Sequence, residues 1–365
     1  YGNAYKIQME DSPNFHKEFT DKGIVLSRTV DLSSRYMGFN WLDPVVGKGD
    51  TPEQQVRNRK LRQALSIAID WDEFNRIFPK AAGEVAQGPL PGGVFGSRHG
   101  SAEGLNAITH RWVNGQAVRR PIEDAKKLLA EAGYPDGRDA RSGKPLVLNY
   151  DVGAANTPDS KANLDWTAKQ FAKLGIQLEI RATDYNQFQD KVRRGKHQIF
   201  TWGWLADYPD AENFLFLLYG PGAKSVHDGE NAANYQNAEY DRLYSTLRFM
   251  DDGPAKQAVI DQMVRILQED APWSWGYFPY SSGAYHRWVR NGKPSIMVRD
   301  QAQYYRLDTA ERSRSLQDWN HPVYWPVLAV LAVLAAMAWG AVKILRARDQ
   351  QTALPRPVPS SQRGR

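Results

Sequence analysis

The chain has 365 residues, 42% of them hydrophobic, a length that fits two domains or one large irregular one. The absence of cysteine excludes a disulfide framework and a thiolate metal site, and fits an oxidising compartment without establishing one. A net charge of +6 and a pI near 9.2 suggest nucleic acid, but from Lys343 onward six bases accompany one acid, while the rest holds 41 bases against 40 acids; a nearly neutral body excludes a basic footprint for phosphate.

Tyr1 is not an initiator methionine, and no apolar targeting segment follows it. At 51–54, TPEQ sets Thr, Pro and then Gln at capping-box spacing. Leu61, Ala64, Leu65, Ala68 and Ile69 then recur at helical spacing, and Asp70 is placed to cap a second helix over WDEFNRIF. GPLPGGVFG from residue 88 reads as a Pro/Gly loop. PIEDAKKLLAEAGYP (121–135) predicts a compact helix, with Pro121 in its first turn, Leu128 and Leu129 inside, and Gly133 as its stop.

From there the pattern alternates. PLVLNYD (145–151) reads as a strand with Leu146, Leu148 and Tyr150 on one face, followed by a helix striped by Leu164, Ala168, Phe171 and Leu174 and ended by Gly175. IQLEIRA (176–182) is a second strand, Tyr185–Arg194 a helix stopped by Gly195, and HQIFTWGW a third strand. Strand, helix, strand, helix, strand is α/β logic, with sites expected in loops beyond the C-terminal strand ends. Two helices around 239–250 and 256–269 bury Leu243, Leu247, Ile260, Met263, Val264 and Leu267, and APWSWGYFPY reads as a strand leaving the domain.

Val323–Val342 is uncharged over twenty residues, enough to cross a hydrocarbon core of about 30 Å. Trp319, Tyr324 and Trp325 mark one interface, Trp339 the other, and Lys343, Arg346 and Arg348 follow at once. The positive-inside rule places the C-terminus in the cytoplasm and the body outside. Such a body needs export, so the expectation is either a removed leader or a longer parent chain. The Pro- and Ser-rich end is expected to be disordered.

The histidines are scattered, with no pair at the i, i+4 spacing of a zincin helix, and no nucleophile elbow, P-loop, EF-hand or dinucleotide fingerprint occurs. No catalytic residue, metal ligand or cofactor is assigned. Abundant acids keep open a hydrolase with two facing carboxylates. TWGWLADYPDAENF (201–214) packs two tryptophans, a tyrosine, two aspartates and a glutamate, all ligand-friendly, into one short stretch. Trp202 and Trp204 share one strand face, and Asp207 begins the loop. A carboxylate beside aromatic walls suits an ammonium group, because the ion pair strengthens as water is excluded and the rings add cation–π attraction. Core packing is the competing reading for both tryptophans; for YPDAEN it is a turn into a helix with Asp210 as N-cap.

RYMGFN (35–40), LRQALSIAID (61–70), GPLP (88–91), DAKKLLAEAGYP (124–135), GWLADYPDAENFL (203–215) and YYRLD (304–308) together resemble the family 5 solute-binding proteins of ABC importers, the dipeptide, oligopeptide and nickel type. The motifs stand in the family's order and span nearly the whole body. The resemblance implies an α/β, two-lobed periplasmic binding protein (type II-like) with the N-terminal half of its first lobe absent here. It implies residues 1–40 as a later part of lobe I, 41–272 as lobe II and 273–310 as the return to lobe I. A transmembrane helix over 322–346 and a tail over 347–365 complete the expected organisation.

In peptide-binding members an aspartate in the GW..AD segment holds the peptide ammonium, which by motif is Asp207, with Trp204 lining a side-chain pocket. Trp202 joins them on its strand face, and Tyr36 of RYMGFN is a further wall position. The arginine that some members carry six residues before that aspartate is Thr201 here, which leaves the ligand open among peptides, nickel chelates, opines and oligosaccharides. The implied partners are a small solute, an ABC permease and ATPase, and the membrane through the C-terminal helix, with no nucleic acid. The implied location is the periplasmic face of the inner membrane, single-pass, with no enzymatic activity. A membrane-tethered sensor or scaffold on the same fold is a rival reading.

Overall fold

The structure, a computed structural model, describes residues 19–21, 23–78, 83–292 and 300–352. The strands of its main sheet are β1 (Ile24–Val30), β2 (Ser33–Phe39) and β3 (Gly83–Val85), then β6 (Val147–Gly153), β7 (Gln177–Thr183), β8 (Ile199–Leu205) and β9 (Trp273–His286). A separate hairpin pairs β4 (His110–Val113) with β5 (Gln116–Arg119). The helices that cover the sheet are α1 (Pro52–Ala68), α2 (Trp71–Ile77), α3 (Ile122–Glu131), α4 (Pro158–Ala172), α5 (Tyr185–Arg193), α6 (Ala238–Leu247) and α7 (Pro254–Asp270). Beyond them lie β10 (Val289–Arg290), β11 (Arg306–Leu307), α8 (Thr309–Trp319) and α9 (Trp325–Thr352).

The helix starts follow the sequence signals. Thr51 accepts the Gln54 N–H (3.2 Å), while the Gln54 side chain turns back to the N–H of Asp50 (3.0 Å), one residue earlier than a standard capping box. Asp70 caps α2 through the Glu73 N–H (2.9 Å). On α4 the buried face is Trp166, Thr167, Gln170 and Phe171, with Ala168 only half-buried, so the face is rotated from the apolar stripe in the sequence. The reason is polar: the Trp166 indole and the Gln170 amide both donate to Glu73 of α2, at 3.0 and 2.9 Å.

The sheet runs β1-β9-β2-β8-β6-β7, with β3 also on β9. β6 pairs in parallel with both β7 and β8, and the remaining pairs are antiparallel. The crossovers cover opposite faces: α4 packs into a core with Leu61, Leu65, Leu148 and Tyr150, and α5 into one with Phe200, Leu243 and Leu267. That is the doubly wound arrangement expected when the chain moves out from β6 to β7 and then back past it to β8. The sheet draws on all three stretches 1–40, 41–272 and 273–310, because β2 and the first part of β9 extend the same hydrogen-bonded surface as β6–β8.

β9 serves both cores because it is bulged. Arg35 pairs with Tyr277 and Tyr36 with Trp275, which leaves Gly276 as the extra residue. Trp273, Trp275 and Phe278 therefore enter one core and Tyr277 the other. A Cβ at Gly276 would lie 2.3 Å from the Arg35 carbonyl oxygen, so only glycine fits.

Arg62, 2% exposed, ties α1 to the end of α7. Its guanidinium donates to the carbonyls of Asp270 (3.0 and 2.8 Å), Val46 (3.0 Å) and Gly47 (2.8 Å), and lies 4.1 Å over the Trp41 ring. Burial lowers its pKa to about 9, with Asp270 opposing that shift, so it remains a cation at neutral pH.

The chain forms two compact units, one from residues up to Arg287 with Asn291–Tyr305, the other from Trp288–Arg290 and Arg306 onward. In the second unit β10 pairs with β11, and Arg290 bridges Asp308 (3.1 Å) and Glu311 (2.7 Å). Asp308 also caps α8 through the Glu311 N–H. α9 contains a stretch, Trp325–Gln350, whose most apolar 18 residues have mean hydropathy 2.2, long and apolar enough to cross a membrane. The helix runs on through Thr352, so residues 347–352 of the expected tail are helical, and 353–365 lie outside the described residues.

Gly276→Ala should lower unfolding free energy by about 1–3 kcal/mol, since the added methyl must push apart two paired strands. An unchanged urea midpoint would contradict the bulge geometry. A second expectation concerns His197, whose ring N–H at Nε2 donates to the Ala232 carbonyl (2.9 Å). Burial pushes this imidazole down to about 4. The unfolded chain, titrating near about 6.5, takes up the proton first, so stability falls as pH drops through that window and levels off below the folded value. His197→Gln keeps a donor for Ala232 and should remove about 3 kcal/mol of that acid loss; urea unfolding across the window should show a shallower slope than wild type.

Candidate functional site

Along β8, alternate residues face opposite cores. Phe200 is fully buried, and Trp202 and Trp204 pack half-buried against the same cluster; Ile199 lies in the other core, and Thr201 meets the Tyr150 hydroxyl there at 2.6 Å. Trp202 rests on Phe188 (centroids 5.1 Å apart) and Tyr185 (6.2 Å), with the Lys224 ammonium 5.9 Å from its ring centre. Lys224 is itself held by Glu230 at 3.1 Å. Trp204 meets Phe216 edge to face at 5.1 Å.

Beyond β8 the loop is latched by one residue. Asn213 is 4% exposed. Its side-chain oxygen accepts both the Trp204 indole N–H (3.1 Å) and the Asp207 backbone N–H (2.9 Å). The Asp207 carboxylate is left exposed, and among the described residues no cation pairs with it.

The neighbouring acids are fully engaged. Asp210 accepts the Glu212 N–H (2.8 Å) at the start of a helical turn, Glu212–Leu215, and also the Lys256 ammonium (2.9 Å). The Lys256 side chain is 6% exposed and bridges to Asp252 as well. Although burial works against its charge, hydrogen bonds to both aspartates raise its pKa above the ordinary lysine value. Glu212 accepts the hydroxyls of Tyr208 and Tyr244. Of the three acids, Asp207 alone has an exposed carboxylate with no side-chain partner among the described residues.

Tyr36 stands directly opposite Trp202 in the β2–β8 register. It is 3% exposed and stacked on Trp273, with centroids 3.5 Å and planes 4° apart, and burial holds its phenol well above the usual range. Tyr36, Trp202 and Trp204 thus share one sheet face, with Tyr36 inside the core, the tryptophans at its margin and Asp207 past the strand end. No cluster of three or more acids or histidines is arranged to hold a metal among the described residues.

Sequence reasoning passed over Asn213 and Arg35. Asn213 sits inside the quoted motif, but its role as a double acceptor depends on a fold-back that no spacing rule signals. Arg35 pairs across from Gly203, and a Cβ at that glycine would lie 1.9 Å from an Arg35 guanidinium nitrogen. The only sequence signal is the glycine between two tryptophans, which permits a close approach.

Residues 5–225 match the model of bacterial extracellular solute-binding proteins, family 5, middle region. Heme-binding protein A of Haemophilus influenzae is 26% identical over 269 residues, covering 72% of this chain and 43% of that protein. The dipeptide-binding protein of Escherichia coli is 22% identical over 253 residues, covering 69% and 41%. Among solved structures, HbpA2 of Haemophilus parasuis superposes with a TM-score of 0.65 at 22% identity, over 82% of this chain and 53% of that one. The periplasmic binding protein DppA of Helicobacter pylori, in complex with the peptide STSA, superposes with a TM-score of 0.62 at 18% identity, over 84% and 55%. The chain therefore spans about half the length of the relatives it matches. With a family model matching most of the chain on an α/β fold of the same architecture, the chain belongs to family 5 of the bacterial extracellular solute-binding proteins, which are binding proteins rather than enzymes.

Proposed function

We propose that the protein captures a peptide-like or other amine-bearing solute outside the cytoplasm and delivers it to an ABC permease and its ATPase. The observation that carries this reading is the exposed Asp207 carboxylate, unpaired among the described residues and held by Asn213 beside half-buried Trp204. A guest ammonium there gains an ion pair whose strength grows as a closing site excludes water, and the rings add cation–π attraction. Trp202 extends the aromatic wall, and Tyr36 backs it through the cross-strand pair. Peptide-binding relatives support the ligand class.

In this reading the continuation of the β1–β9 ladder, Ile24–Val30 against Tyr280–His286, leads into the other lobe, and residues 41–272 form the ligand lobe. α9 is the membrane span, with Lys343, Arg346 and Arg348 on the cytoplasmic side. A tether raises the local concentration of the binding protein at a permease in the same membrane.

Asp207→Asn should weaken binding of trialanine to the full-length protein by about tenfold or more, as expected when a charge-assisted contact is lost. Asp210→Asn should lower thermal stability, since Lys256 loses a partner, and leave affinity nearly unchanged. Calorimetry showing equal affinity losses for the two variants would overturn the assignment. Asn213→Ala frees two donors and should cost about 1–3 kcal/mol of stability. It should also shift the tryptophan emission; unchanged melting and emission would refute the latch.

A further inference from the structure

α8 is stitched at both ends onto the β10–β11 pair of the second unit. At its start the Asp308 N–H donates to the Trp288 carbonyl (2.8 Å), and Arg290 holds Asp308 and Glu311. At its end Trp319 packs on buried Trp288, with ring centres 5.3 Å apart. Asn320 closes α8 by donating its N–H to the Leu316 carbonyl (3.0 Å), and α9 begins at Trp325. The five residue steps between them span at most about 18 Å. With α9 in a bilayer whose headgroup layer is about 5–8 Å deep on each side, the end of α8 stays within about one helix diameter of the lipid headgroups.

The surface that α8 offers there suits such a neighbour. Arg312, Leu316 and Trp319 follow one another at i, i+4 and i+7 along one side of the helix. Arg312 is exposed, Leu316 is half-buried, and Trp319 is 42% exposed despite its contact with Trp288. Arg306 adds a second cation. It stands directly opposite Arg290 in the β10–β11 pair, an arrangement in which like charges repel. Arg290 is neutralised by its two acids, whereas Arg306 and Arg312 are exposed and no carboxylate pairs with either among the described residues. Arg314 differs. The Glu311 N–H, the Arg290 hydrogen bond and the charges of Arg290 and Arg314 hold the Asp308 carboxyl below the usual range, so Arg314 already faces an acid.

We propose that Arg306 and Arg312 bind the phosphates of anionic phospholipids while Trp319 settles at the membrane interface, so that α8 is a seat on the bilayer surface and not a free leash above it. The inference rests on the reading of α9 as a membrane span given above. A guanidinium fork meets a phosphate with two parallel hydrogen bonds. An indole, apolar in its body and polar at its N–H, is at home at headgroup level. A lipid phosphate beside Arg306 also relieves its repulsion by Arg290.

The chain has no cysteine, so Ser313→Cys, exposed on α8 one turn before Leu316, takes a single environment-sensitive fluorophore. The labelled full-length protein is reconstituted into phosphatidylcholine vesicles with a rising share of phosphatidylglycerol, with circular dichroism as a folding control. Emission should move to the blue as phosphatidylglycerol rises, and the shift should weaken in high salt. Arg306→Gln or Arg312→Gln should each need about fivefold more phosphatidylglycerol for the same shift, and Arg314→Gln should behave like the parent. Alkaline carbonate extraction of the same vesicles keeps the two readings apart. Protein that is retained, but whose emission ignores phosphatidylglycerol or for which Arg314→Gln is as damaging as Arg312→Gln, overturns the headgroup seat and leaves the span. Protein washed out of the vesicles overturns both.

Discussion

The close approach of Gly276 to the Arg35 carbonyl is the constraint on which both cores depend. Side chains alternate strictly along a strand, so a one-residue shift exchanges the faces of everything beyond it. Without the bulge, Tyr277 would follow Trp273 and Trp275 into one core, and the other would lose its rings against Trp71 and Phe74, now at 6.1 and 5.5 Å. The same shift brings Arg35 opposite Tyr277.

Environment, not residue type, separates the acids at the end of β8. Asp210 and Glu212 lie within a few residues of Asp207, yet one is held by a buried lysine and the other by two tyrosine hydroxyls. Their hydrogen-bonding capacity is spent on holding the turn Glu212–Leu215 against α6 and α7. Asp207 gives its backbone N–H to that scaffold, so its carboxylate stays exposed while its backbone is fixed. Rigid support under an exposed charge limits the ordering cost on binding, and in the proposed function closure is a population shift driven by ligand contacts on both sides of the cleft.

Much of the α/β lobe was legible from period alone. The strands around Leu148, Ile180 and Phe200, the helices between them and the caps at Thr51 and Asp70 are local features, decided by propensity and by hydrogen bonds spanning three or four residues. The rotated face of α4 was not legible, because Gln170 and Trp166 turn inward to satisfy Glu73, nearly a hundred residues away in sequence. Arg62 is a similar case: in a helix stripe it reads as a surface cation, but in the fold it is buried with its donors on carbonyls from two distant segments.

By itself the sequence determined the family motifs, the alternation of strands and helices, the apolar C-terminal helix and the presence of an acid and two tryptophans at a strand end. These depend on composition and short spacings. Only the tertiary structure decided which acid stays free, that Tyr36 lies inside the core rather than at its margin, and that Arg35 lies across Gly203. Each of those outcomes depends on register between strands distant in the chain, and register is set by the packing of both sheet faces at once.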